Sequence, residues 1–117
     1  MHEFGVAAAL LEAVEARARG RPVRALRVQV GVLQRVDRPV FDQAFALVAD
    51  GGVADGASVE IVEVPVEVRC RDCGAATRAD ELVVTCDGCG GHDLELVTGD
   101  DLVLESITVA PTPQEVG

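Results

Sequence analysis

Tryptophan, tyrosine and lysine are missing from this 117-residue chain, and its only aromatic side chains are Phe4, Phe41 and Phe45. A core built under that restriction must come mainly from Val, Leu, Ile and Ala. Nucleic-acid recognition is not expected: base stacking needs aromatic platforms, and phosphate contact needs cations. All ten basic residues are Arg, and they face twenty Asp and Glu for a formal charge of −10, which repels phosphates and suits a protein that handles cations or meets a basic surface. No apolar run reaches the ~20 residues that cross a bilayer, so no membrane attachment is expected. The opening stretch has no basic start and carries Glu12 and Glu15 among its apolar residues, unlike a secretory leader. The expected compartment is the cytoplasm, where thiols stay reduced. Histidine is scarce as well, with only His2 and His92. No Ser/His/Asp or Cys/His set can be drawn up, so an enzyme is not expected.

The hydrophobic pattern that is present divides cleanly. Phe4, Ala7, Ala8, Leu11, Val14 and Ala18 recur at helical spacing, with Glu12, Glu15 and Arg19 on another face, and predict a helix from Glu3 to about Arg19. Gly20 and Pro22 end it. Leu26, Val28, Val30 and Val32 alternate with Arg27, Gln29 and Gly31, which predicts a half-buried strand. Asp37 and Pro39 are start signals for a second helix with an apolar face of Val40, Phe41, Ala44, Phe45, Leu47 and Val48. From Val59 to Val68 the pattern is that of a strand whose phase slips near Ile61, as a bulge or burial of both faces would produce. Pro65 marks where that strand leaves the main sheet, because proline cannot donate to a central ladder. Leu102–Val109 returns to strand character. The predicted class is α+β: two helices packed on a three-stranded sheet, with a cysteine module inserted before the last strand. The boundaries read as a helix–sheet body at 1–65 plus 98–110, a module at 66–97 and a flexible tail at 111–117.

All four cysteines lie in that module. Cys70-Arg71-Asp72-Cys73-Gly74 and Cys86-Asp87-Gly88-Cys89-Gly90 are two CxxC knuckles with twelve residues between them. Two residues between thiols let one tight turn present both sulfurs to the same ion, and the trailing glycines supply the positive φ that turns the backbone back. Four thiolates complete a tetrahedron with no position left for water, so the expected ion is a structural zinc held by Cys70, Cys73, Cys86 and Cys89. Two disulfides or a redox pair are the alternatives, and neither needs matched knuckles. A hairpin with Leu82 and Val84 as its apolar positions is expected between the knuckles, and metal should supply much of the module's folding energy. Asp72, Asp80, Glu81, Asp87, Asp93 and Glu95 outnumber Arg71 and Arg78 there, which again argues against nucleic acid. His92 reads as a surface residue, since four sulfurs already fill the zinc.

The opening Met1-His2-Glu3 can offer a terminal amine, deprotonatable amides, an imidazole and a carboxylate, a set that suits the tetragonal preference of Ni(II). On spacing alone a polar residue near a terminus is more often merely solvated. This triplet, the two knuckles, Val30-Gly31, Phe41 to Phe45 and Ser106-Ile107 together resemble the HypA/HybF family of nickel-incorporation proteins, over essentially the whole chain to about Val109. The resemblance implies a nickel metallochaperone for [NiFe]-hydrogenase maturation, in some organisms also serving urease, with Ni(II) as cargo and Zn(II) as a structural ion. It places His2 on the family's nickel-ligand position with Glu3 beside it, makes Asp37 a weaker candidate that doubles as a helix cap, and implies a HypB-type GTPase and the hydrogenase large subunit as partners. Phe4-Gly5 and Asp87-Gly88 depart from the family pattern without removing a ligand. A zinc-ribbon adaptor with no nickel role, for which His2 would be dispensable, is the rival reading.

Overall fold

The structure, a computed structural model, describes residues 2–111. The tail expected at 111–117 therefore lies, Pro111 apart, outside the described residues. The elements run α1 (Glu3–Ala18), β1 (Val23–Gly31), a 3-10 turn (Val32–Gln34), α2 (Arg38–Ala49), β2 (Ser58–Val64), β3 (Val66–Cys70), β4 (Ala76–Ala79), β5 (Leu94–Thr98) and β6 (Leu102–Val109). The strands form two three-stranded sheets, ordered β2-β1-β6 and β4-β3-β5. By packing, the chain divides into two compact units: Met1–Val28, Asp37–Glu60 and Leu104–Gly117 form one, Gln29–Val36 and Ile61–Val103 the other. Among the described residues no helix is long and apolar enough to cross a membrane.

In the first unit, α1 starts where predicted and ends one residue early, with Arg19 in the left-handed region (φ 51°) and Gly20 following at φ 80°. Its buried face is Glu3, Ala7, Leu10, Val14 and Ala18. The predicted face is thus rotated: Leu10 replaces Leu11, and Phe4 and Ala8 face solvent. Alanines surround this helix on several sides, so the pattern is weak and tertiary packing chooses the face. Asp37 caps α2, its carboxylate accepting from the Val40 amide at 3.2 Å, with Pro39 in the first turn. Phe41, Ala44, Phe45 and Ala49 are the buried side of α2, whereas Val40 and Leu47 are exposed. The Phe41 and Phe45 rings stack with centroids 6.0 Å apart, a geometry that adds about 0.5–1.5 kcal/mol beyond area burial.

Leu26, Val28 and Val30 of β1 are buried as their alternation requires, but Val32 leaves the strand for the 3-10 turn. Gly31 explains the break. A Cβ there would overlap the backbone of Gly99 and Asp100, and its amide donates to Asp101 O at 2.7 Å. Pro65 separates β2 from β3, and β3 does pair in a different sheet. Ile61 and Val62 are both half-buried, in keeping with burial of both faces at the phase slip.

In the second sheet β3 is central, antiparallel to both β4 and β5, with a register shift between Glu67 and Val68. Val66, Val68 and Cys70 point inward. The hairpin expected around Leu82 and Val84 is absent. Residues 80–85 form no strand, and Leu82 and Val84 are 57% and 66% exposed. The module builds its ladder from Val66–Cys70 instead, where the apolar residues alternate without interruption.

Candidate metal sites

Two near-identical turns build the sulfur cluster. Cys70 N donates to Ala75 O at 2.9 Å and Gly74 N to Cys70 O at 2.9 Å; Cys86 N donates to Gly91 O and Gly90 N to Cys86 O, both at 2.8 Å. Gly74 (φ 77°) and Gly90 (φ 73°) take the positive φ that each turn requires, a region open to glycine at no steric cost. The Cys70–Cys89 and Cys73–Cys86 sulfurs are 3.6 Å apart, and all four lie within 4.8 Å of one another. Those separations are far longer than a disulfide bond of about 2.05 Å. They match the edge of a ZnS4 tetrahedron, about 3.8 Å for Zn–S bonds of about 2.3 Å. Cys70 and Cys86 are buried, Cys73 and Cys89 exposed.

Amide hydrogens aim at the sulfurs: Gly88 N at Cys86 Sγ (3.3 Å) and Gly91 N at Cys89 Sγ (3.4 Å). The Cys89 and Gly88 amides lower the Cys86 thiol to about 7. At Cys89 the Gly91 amide pulls the same way, but hydrogen bonding with the Cys70 and Cys73 sulfurs outweighs it and pushes the thiol up to about 12. Sulfurs this close compete for protons unless a dication faces them all. The donor set fits a structural zinc site. Arg71 ties the first knuckle to the residue before β5, its guanidinium on Asp93 Oδ1 at 2.9 Å and its amide on Asp93 O at 2.9 Å. His92 stands outside the sulfur cluster, exposed, with Nδ1 3.0 Å from Val84 O and 3.4 Å from Thr85 Oγ1.

The N-terminal residues sit on α1 of the other unit. His2 is the N-cap residue but makes no side-chain capping bond, and its side chain is 48% exposed. Its Nδ1 lies 3.9 Å from Glu3 Oε2. Glu3 is 4% exposed, the one buried charged side chain among the described residues. Its Oε2 accepts from the Asp37 amide at 3.1 Å. The carboxyl is lowered to about 2 by hydrogen bonding, the amides of Asp37 and of Glu3 itself contributing. His2, Glu3 and Asp37 are therefore brought together although Glu3 and Asp37 lie 34 positions apart in the chain. Nothing in the sequence pattern announces that tie. The Arg71–Asp93 stitch was equally unforeseen, since surface ion pairs leave no periodic signal.

The family described as hydrogenase/urease nickel incorporation, metallochaperone, HypA matches residues 1–109. A hydrogenase maturation factor HypA from Rhodopseudomonas palustris (strain TIE-1) is 33% identical over 112 residues, covering 93% of this chain and 99% of its own. That of Aquifex aeolicus (strain VF5) is 32% identical over 110 residues, covering 92% of this chain and 96% of its own. The solution structure of the Ni metallochaperone HypA from Helicobacter pylori has the same fold, with a TM-score of 0.71 at 24% identity over 93% of this chain and 97% of that one. The match along the chain, the four-sulfur cluster and the shared fold agree: this chain belongs to the HypA family of hydrogenase/urease nickel-incorporation metallochaperones.

Proposed function

We propose that the chain carries Ni(II) as cargo at its N-terminal triplet, with His2 as the imidazole donor and Glu3 as a member of the site, and delivers it during [NiFe]-hydrogenase maturation. Family membership over residues 1–109 carries this reading. The placement of His2 supports it: a half-exposed imidazole at the start of α1, uncommitted to capping, beside a buried carboxylate. Ni(II) favours nitrogen-rich tetragonal donor sets, which a chain terminus can supply without a preformed pocket. A site that must surrender its ion should also be reachable by the acceptor.

Within this reading the helix–sheet body, 1–65 with 98–110, handles nickel, and 66–97 holds zinc through Cys70, Cys73, Cys86 and Cys89. Zinc, when bound, supplies the charge that holds four thiolates together and leaves no open position for chemistry. The chain then works by binding and release and catalyses nothing. Its partners are a HypB-type GTPase and the hydrogenase large subunit, urease maturation being a second destination, and its compartment is the cytoplasm.

The test is nickel transfer. Nickel-loaded protein with a native, untagged N-terminus is mixed with nickel-free hydrogenase large-subunit precursor, beside a His2→Ala variant treated identically. Nickel incorporation by the first protein and at least tenfold less by the second supports the reading. Equal incorporation from both removes His2 from the path and leaves a zinc-ribbon adaptor as the better account.

A further inference from the structure

Glu3 is the one charged side chain among the described residues that the fold buries. A carboxylate withdrawn from water survives only when hydrogen bonds and positive potential replace its hydration. Its surroundings supply both. It occupies the first turn of α1, where unpaired amides leave the positive end of the helix dipole. It also accepts the amide of Asp37, the N-cap residue of α2. Every polar group of Asp37 is engaged at that point. The amide donates to Glu3, the carboxylate accepts from Val40 N at 3.2 Å, and the carbonyl accepts from Phe41 N at 2.8 Å. One carboxylate therefore bridges the starting ends of two helices.

The bridge lies at a place that would otherwise fray. Terminal residues of a chain are ordered only where something ties them down, and Gly5 in the first turn of α1 adds backbone freedom. The helix begins with Val6 N donating to His2 O at 3.0 Å, so the first turn carries His2. Glu3 Oε2 stands 3.9 Å from His2 Nδ1 and 3.1 Å from the Asp37 amide, between the imidazole and α2. The geometry points to the Glu3 carboxylate as a positioning group: it locks the first turn of α1 onto the N-cap of α2 and so fixes where His2 stands, and it is not itself a nickel donor. This inference rests on the N-terminal cargo site proposed above.

The experiment compares wild type, Glu3→Gln and Glu3→Ala, all zinc-loaded and with native N-termini, using NiCl2 as the probe. Two quantities are read: hydrogen exchange of the Asp37 amide in nickel-free protein, and nickel affinity together with the absorption spectrum at saturation. Glu3→Ala is expected to speed Asp37 amide exchange and weaken nickel binding at least tenfold, with the saturated spectrum unchanged. Glu3→Gln keeps a carbonyl oxygen where Oε2 stands, so it should recover most of both losses. Three results would overturn the proposal: Glu3→Gln as impaired in nickel binding as Glu3→Ala, an altered spectrum at saturation in either variant, or Asp37 exchange unmoved in Glu3→Ala. A His2→Ala control separates the two ideas. Undiminished nickel binding there sinks the cargo site, while Asp37 exchange still judges the bridge.

Discussion

The two compact units are held together by different means. Of eighteen buried apolar or cysteine side chains among the described residues, thirteen belong to the unit containing both helices. The other unit has Val30, Val66 and Val68, and beyond these only Cys70 and Cys86. A helix pair that buries Leu10, Val14, Phe41 and Phe45 can rely on the hydrophobic effect. A sheet whose strands run from four to five residues, with only Val66 and Val68 as buried valines, cannot. The comparison teaches where a metal is needed: where the apolar side chains run out, sulfur takes over.

The sharpest way to break this contrast is to remove the zinc, by chelation or through Cys86→Ser. Structural zinc in small domains contributes about 10 kcal/mol or more of folding free energy. Amide signals from residues 66–98 should collapse to the narrow dispersion of an unfolded chain, while those of α1 and α2 persist in a heteronuclear correlation spectrum. Phe41→Ala should do the reverse. Deleting a buried ring costs about 3–5 kcal/mol, so the urea midpoint followed by helix circular dichroism should fall while the protein still carries one zinc per chain.

A smaller effect comes from Gly99. It sits at φ 117°, and a Cβ there would come within 2.8 Å of Val66 Cα. Gly99→Ala should cost about 1–3 kcal/mol through backbone strain. The cost should fall on the second unit, read as faster zinc release to a chelator with helix melting little changed.

Acid gives the smallest effect. The folded Glu3 carboxyl titrates at about 2, below its ordinary 4.5, so the stability it contributes is complete above pH 4.5 and disappears as pH falls towards 2. The stability difference between wild type and Glu3→Gln should accordingly shrink across that window in urea titrations.

The sulfur cluster was the most legible part of the sequence. CxxC spacing and a following glycine are local constraints, and Cys70, Cys73, Cys86 and Cys89 converge as those constraints require. Both helices and the strands β1, β2, β3 and β6 were legible from periodicity, and Asp37 from its capping chemistry, whereas β4 and β5 were not read as strands. What escaped was whatever depended on partners distant in sequence. The face of α1 was misread because its alanines let several faces look apolar, and only the packed helix pair selects Leu10 over Leu11. Leu82 and Val84 read as hairpin positions from their spacing, yet the ladder they would need is already filled by β4 and β5 on either side of β3. The Gly31–Gly99 approach and the Glu3–Asp37 bridge are contacts across long stretches of chain, invisible in either local pattern.

A count of metals per chain tests whether each unit holds its own ion, zinc on the four sulfurs and the proposed nickel at the terminus. Native mass spectrometry of the untagged protein, supplied with both ions and set beside His2→Ala, counts each metal per chain. One zinc and one nickel are expected in wild type, and one zinc with no nickel in His2→Ala. Nickel retained by His2→Ala at full stoichiometry would rule out a terminal site built on His2.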